Sequence, residues 1–345
     1  MRKPPLPWIS LILMHAVLVQ AAFAASEPLS FSRVQLQGEL GARYWAATCN
    51  LLTRTDRYSF ETFASSAAGK PGALWWDWPG DQIGRWLSVL HVAAGYGWAP
   101  AAEHRQRIAE AVLPLRTDDG RFGPVGAEPD KDVRLLSGNA FCLRGWMDAY
   151  ADTGDARCLE AARQLGHYFE AHAEAWETRR DGKLHEFYGH CIDGLVALHE
   201  QAGDDWALAL AERLAVHAGR TPHTHHSLSL CRGLVDLGRV TKKPEYLRTV
   251  EDYLSWCQEH QNVTGGLPES MPKSPQDEGC GLADWIVVNL MMYQATGRYR
   301  YVDAAEHTLI NHFFLNQFNT GGFGHLSLSD EIVGGKGWQG WEARF

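Results

Sequence analysis

The sequence predicts an all-α chain folded as an (α/α)6 toroid, and three observations predict it. A helix–turn–helix unit recurs four times in the 345 residues. Within each unit the apolar residues keep helical spacing, and few segments alternate as strands do. The turns of the units fall at Thr153, Ala202, Thr241 and Thr296. Counted from each turn, position +6 holds Leu159, Leu208, Leu247 and Val302, and position +9 holds Ala162, Ala211, Val250 and Ala305. Residues three apart share a helix face, so each second helix packs by the same stripe. A glycine at −8 (Gly145, Gly194, Gly233) recurs in the first three units. Turn-to-turn spacings of 49, 39 and 55 residues are too irregular for an open solenoid. They suit a closed ring whose connecting loops vary because they build a site.

Taken in order, residues 1–25 read as a secretory signal. Arg2 and Lys3 precede an apolar run over 8–19, and Ala22-Phe23-Ala24 forms a cleavage site. The run is too short to span a bilayer, and no other segment is apolar enough to cross one. The expectation is a secreted or periplasmic protein with one toroidal domain over 26–345 and no downstream β-sandwich. A helix is predicted over 34–53, then a loop with Trp75, Trp76, Asp77, Trp78 and Asp81 that offers either a sugar-stacking rim or packing. Helical runs over 82–97 and 101–115 follow, ended by the turn at 118–123. About eleven helices result, close to six hairpins, so the ring could lack its last element.

Composition narrows the ligand. Fourteen Trp, 16 His and a formal charge of −9 suit a neutral polar ligand that stacks on aromatic faces. A nucleic-acid partner would ask for a basic surface and is not expected. The seven Cys include no C-x-x-C pair, which excludes a self-contained zinc finger. If the protein is exported, an odd number leaves at least one thiol outside any intramolecular disulfide.

The stretch 264–280 is the candidate site. It reads T-G-G-L-P-E-S-M-P-K-S-P-Q-D-E-G-C and puts Glu269, Glu278 and Cys280 in a Gly/Pro-rich loop between long helices. The loop so holds two carboxylates and, two residues past the second, a thiol at the start of a helix. Glu278 with Asp277 could complement the dipole of the following helix. The run His223-x-His225-His226 could hold a metal, yet no carboxylate stands matched to it in sequence; His226 reads better as a hydrogen-bonding group for a sugar.

The ordered set T-G-G-L (264–267), E-G-C (278–280), T-G-R-Y-R-Y-V-D-A-A-E (296–306) and L-I-N (309–311) resembles glycoside hydrolase family 127, the β-L-arabinofuranosidases. Gly189-His190 and His226 resemble two histidine positions of that family's sugar pocket. The resemblance implies an (α/α)6 six-hairpin glycosidase fold and a retaining mechanism through a thioglycosyl intermediate. It implies Zn²⁺ held by Glu278 and Cys280 with an adjacent Cys pair, Glu269 as acid/base, and His190, His226 and Glu306 as substrate-binding residues. No adjacent Cys pair occurs in this sequence, and the loop before E-G-C is shorter than the family's. The zinc–thiolate site therefore reads as incomplete, as in a truncated relative.

Three functions compete at this point. The first is a secreted glycoside hydrolase on a carbohydrate substrate. The second is a non-catalytic carbohydrate-binding toroid. The third is another toroid enzyme, such as a polysaccharide lyase or unsaturated-uronyl hydrolase, for which the acidic balance is unsuited. Zinc with a reactive thiol separates the first from the second.

Overall fold

The computed structural model describes residues 34–53, 59–72, 77–124, 133–178, 188–217, 221–318 and 321–323. The predicted signal at 1–25, Trp75 and Trp76 lie outside them. The described residues form twelve α-helices: α1 (Gly38–Thr53), α2 (Phe60–Ala67), α3 (Asp81–Gly95), α4 (Ala101–Val112), α5 (Val133–Thr153), α6 (Ala156–Thr178), α7 (Ile192–Ala202), α8 (Asp205–Ala215), α9 (Thr224–Thr241), α10 (Pro244–Gln258), α11 (Gly279–Thr296) and α12 (Arg300–Asn311). Isolated bridges, His223 to Ser270 and Gln317 to Phe323, are the only β pairing among the described residues.

The helices form consecutive hairpins, α3/α4 through α11/α12. The first member of each pair packs on the first member of the next, so α3, α5, α7, α9 and α11 make an inner wall and their partners an outer one. This is the (α/α)6-type toroid that the repeat predicts. The stripe works as expected: Ala162, Ala211, Val250 and Ala305 are buried, and Leu159, Leu208, Leu247 and Val302 are half-buried. Helix α1 touches both ends of the wall. Arg43 donates to the carbonyl of Phe314 at 2.8 Å beyond α12, and Tyr44 packs on Tyr96 at the end of α3, ring centroids 5.0 Å apart.

The recurring glycine has a packing reason. A Cβ at Gly145 of α5 would lie 2.4 Å from the carbonyl oxygen of Gly84 in α3. One at Gly194 would meet Leu143 of α5 at 2.6 Å, and one at Gly233 would meet Ile192 of α7 at 2.8 Å. Each −8 glycine is where an inner helix crosses its predecessor at short range. The hairpin turns need a left-handed residue, which Gly154, Gly203 and Gly297 supply at φ of 65°, 73° and 68°. In the third unit Lys242 takes that conformation at φ 60°.

Trp78 packs against the core, and Asp77 accepts from Arg134 at 3.1 Å, so these two loop residues hold the loop down. No helix among the described residues is long and apolar enough to cross a membrane.

Candidate active site

The inner helices present their N-terminal ends to one another, and the chemistry gathers there. Glu278 is the N-cap of α11 and His223 the N-cap of α9, while Asp81 opens α3. Backbone bonds fix the two key loops together. The amide of Thr224 donates to the carbonyl of Glu269 at 2.9 Å, and the amide of Met271 donates to that of Pro222 at 2.6 Å. The loop carrying Glu269 is thus laid along the entry to α9, and His223 becomes a neighbour of both carboxylates.

His223, Glu269 and Glu278 each offer a ligand atom, and these atoms lie within 4.8 Å of one another. His223 Nε2 stands 3.5 Å from Glu278 Oε2. All three residues are half-buried. Glu278 Oε2, and His223 Nδ1 on the far side of that ring from it, are shielded from solvent with no hydrogen-bond partner. Glu269 accepts from the Gln276 side-chain amide at 2.9 Å. Cys280 is buried just inside the rim and hydrogen-bonds Glu278; burial first, and then the Glu278 charge, push its thiol well above the ordinary range. It stands beside the three-residue group without belonging to it.

Beneath the rim lies a floor of charged groups that the sequence reading did not single out. Arg85 on α3 pairs with Asp81 at 2.9 Å and lies over the Phe141 ring at 3.8 Å. Its Nη2 is 3.1 Å from Nε2 of His225. A guanidinium only donates, so that nitrogen accepts and the imidazole proton sits on Nδ1. Nδ1 faces Asp284 Oδ2 at 2.6 Å, and Ser229 donates to the same oxygen at 3.1 Å. Burial pushes the Asp284 carboxyl up, but His225, Arg232 and Arg85 pull harder and hold it at about 2. No local motif announces this set, because its members come from α3, α5, α9 and α11.

The sequence-predicted residues divide. Glu269, Glu278 and Cys280 are brought together. His190 is buried behind them: its Nε2 donates to the carbonyl of His226 at 3.1 Å, and its Nδ1 takes the Ser137 hydroxyl at 3.0 Å. Burial holds its pKa down at about 3, so it is neutral. The His226 ring stacks on His223 with centroids 4.0 Å apart, at the edge of the cluster. His223, passed over for lack of a matched carboxylate, is the histidine that meets one; the carboxylates arrive from a loop some fifty residues on. Glu306 is not with them. It is exposed on α12 of the outer wall, in a shallow hollow of about 320 Å³ with Asp303, His307, Ile310 and Asn311. A larger cavity of about 610 Å³ between α4 and α6 is lined by none of the cluster residues.

The model of the β-L-arabinofuranosidase GH127 catalytic domain matches residues 139–323, more than half of the chain. The chain belongs to this family. Its fold is similar to that of a GH127 β-arabinofuranosidase at TM-score 0.65 and 14% identity, over 86% of this chain and 55% of the other. It is also similar to a GH127 β-L-arabinofuranosidase from Geobacillus stearothermophilus T6, at TM-score 0.60 and 13% identity over 84% and 57%. A glycosyl hydrolase family 88 protein from Bacteroides vulgatus gives TM-score 0.60 at 11% identity over 84% and 90%. The chain spans a little over half the length of the two GH127 structures. No curated protein matches the sequence.

Proposed function

We propose that this chain is the toroidal domain of an exported, retaining glycoside hydrolase that acts on arabinofuranose-containing glycans. The observation that carries the reading is the His223–Glu269–Glu278 cluster, with Cys280 against it, in a chain of this family. Glu269 and Glu278, whose oxygens lie within 4.8 Å of each other, put a proton donor next to a carboxylate that would hold the metal. Glu269 is the proton donor to the leaving sugar oxygen and then the base toward water. The neutral rings of His190 and His226, behind and beside the cluster, favour an uncharged sugar.

The donors fit Zn²⁺, which takes imidazole nitrogen, carboxylate oxygen and thiolate sulfur. Glu278 and His223 would hold it, since Glu278 Oε2 is shielded with no hydrogen-bond partner and His223 Nε2 faces it at 3.5 Å, and Cys280 lies against Glu278. Zinc bound there would supply a lowered thiol pKa. Without it, burial and Glu278 keep Cys280 protonated. That buried thiol is also what favours the second reading, a sugar-binding toroid without turnover.

The test is hydrolysis of an aryl β-L-arabinofuranoside beside a zinc titration. Turnover should fall by about 100-fold or more in Glu269→Gln with zinc retained, the usual weight of a general acid, and zinc should be lost in Glu278→Gln. Sugar binding with no product would decide for the second reading. Neither binding nor product would discard both.

A further inference from the structure

We propose that the buried Asp277–His312 pair is a positioning clamp for the loop that bears Glu269 and Glu278. His312, just past the end of α12, is 3% exposed and Asp277 is 0% exposed. The Nε2 atom of His312 lies 2.6 Å from Asp277 Oδ2, and the Asn316 amide donates to the same oxygen at 3.1 Å. On the other side of the ring, Nδ1 lies 2.7 Å from Thr264 Oγ1.

The ring is one link in a chain of hydrogen bonds that crosses the loop. Asn262 Oδ1 takes the amides of Thr264 at 3.1 Å and Gly266 at 2.7 Å, and the Thr264 hydroxyl donates to it at 2.8 Å. The Thr264 hydroxyl thus stands between Asn262 Oδ1 and the ring Nδ1 of His312. The opposite nitrogen faces a carboxylate oxygen, an acceptor. One ring is therefore hydrogen-bonded to residue 264 and to residue 277, the two ends of the loop. Glu269 lies between those ends, and Glu278 is the next residue after the second.

The loop is shaped to seat this ring. A Cβ at Gly266 would lie 2.4 Å from His312 Cε1, and one at Gly265 would crowd His307 and Thr308 of α12 at 2.9 Å. This accounts physically for both glycines of the T-G-G run. An apolar pair of similar volume would pack the same space at no desolvation cost. What the polar pair adds is a defined distance between the loop ends.

The inference rests on Glu269 and Glu278 being the working carboxylates, which the hydrolysis and zinc assays judge separately. Amide hydrogen exchange on the full chain needs neither sugar nor metal. In Asp277→Asn and in the milder Thr264→Val, the amides of Glu269 and Met271, bonded to Gln276 and Pro222, should exchange about ten-fold faster or more, while core amides such as Leu195 and Leu228 keep their protection. Thr264→Ser, which retains both the donor and the acceptor, should behave as the parent. Unchanged exchange at 269 and 271 in both variants would overturn the clamp. So would acceleration that spreads equally to the core, which is general destabilisation.

Discussion

Asp284 shows how a single buried carboxylate is held in its charged form inside this ring. It is 6% exposed, and its oxygens meet His225, Ser229 and Arg232. Its pKa in the fold, about 2, lies below the ordinary 3.8. A depressed folded value means the stabilisation is fully present above the unfolded pKa. It is lost as the pH falls from about 4 toward 2. Asp284→Asn should therefore cost about 3 kcal/mol at pH 7, the scale of breaking a buried pair. The acid limb of its stability curve between pH 4 and 2 should also flatten. Urea unfolding across that range measures both, and an acid limb as steep as the parent's would contradict the assignment. At the same scale, His223 explains a limit of reading residues along the chain. Its partners Glu269 and Glu278 are distant in sequence and are delivered by the backbone pairing of two loops.

At the scale of elements, the repeated unit is defined by its two glycines as much as by its apolar stripe. The left-handed turn residue is Gly in three units and Lys242 in the other. Lys242→Gly should raise stability by about 0.5–1 kcal/mol, because a side chain with a Cβ is strained there and glycine is not. Thermal unfolding would read it as an upward shift. Gly145→Ala should act in the opposite direction, by about 2–3 kcal/mol. The added methyl would meet the backbone of α3 at 2.4 Å, and backbone cannot rotate away. A variant as stable as the parent would show that α3 and α5 slide freely, contrary to the packing seen here. The inner helices are joined by charge as well as by close approach. Arg232 on α9 reaches Asp284 on α11 at 3.4 Å and Asp193 on α7 at 3.8 Å, and Ser88 on α3 donates to Asp148 on α5 at 2.6 Å.

For the whole molecule, export is a proposal that rests on the signal-like first 25 residues. Produced from residue 1 in a host with a secretory pathway, the protein should appear outside the cytoplasm with a mature N-terminus at or beside Ala25. N-terminal sequencing of the exported fraction checks this, and an intact Met1 there would remove the export proposal. The ring also has unequal flanks. Among the described residues of the inner helices, large apolar side chains are exposed on α3 (Val92) and α11 (Val287, Leu290), the first and last of the wall, while α5, α7 and α9 between them show none. Neighbours on both sides account for the difference.

The sequence by itself determined the helical units, their turns and the stripe that packs them, because each is set by spacing within some twenty residues. It also marked Glu269, Glu278 and Cys280, which sit together on one loop and one helix start. Only the tertiary structure decided that His223 joins them, that Glu306 stands apart on the outer wall, and that Arg85, His225 and Asp284 form the floor. The physical reason is the same in each case. A toroid brings together helix ends that are forty to two hundred residues apart, and periodicity reports which face of a helix is buried but not which other helix end it meets.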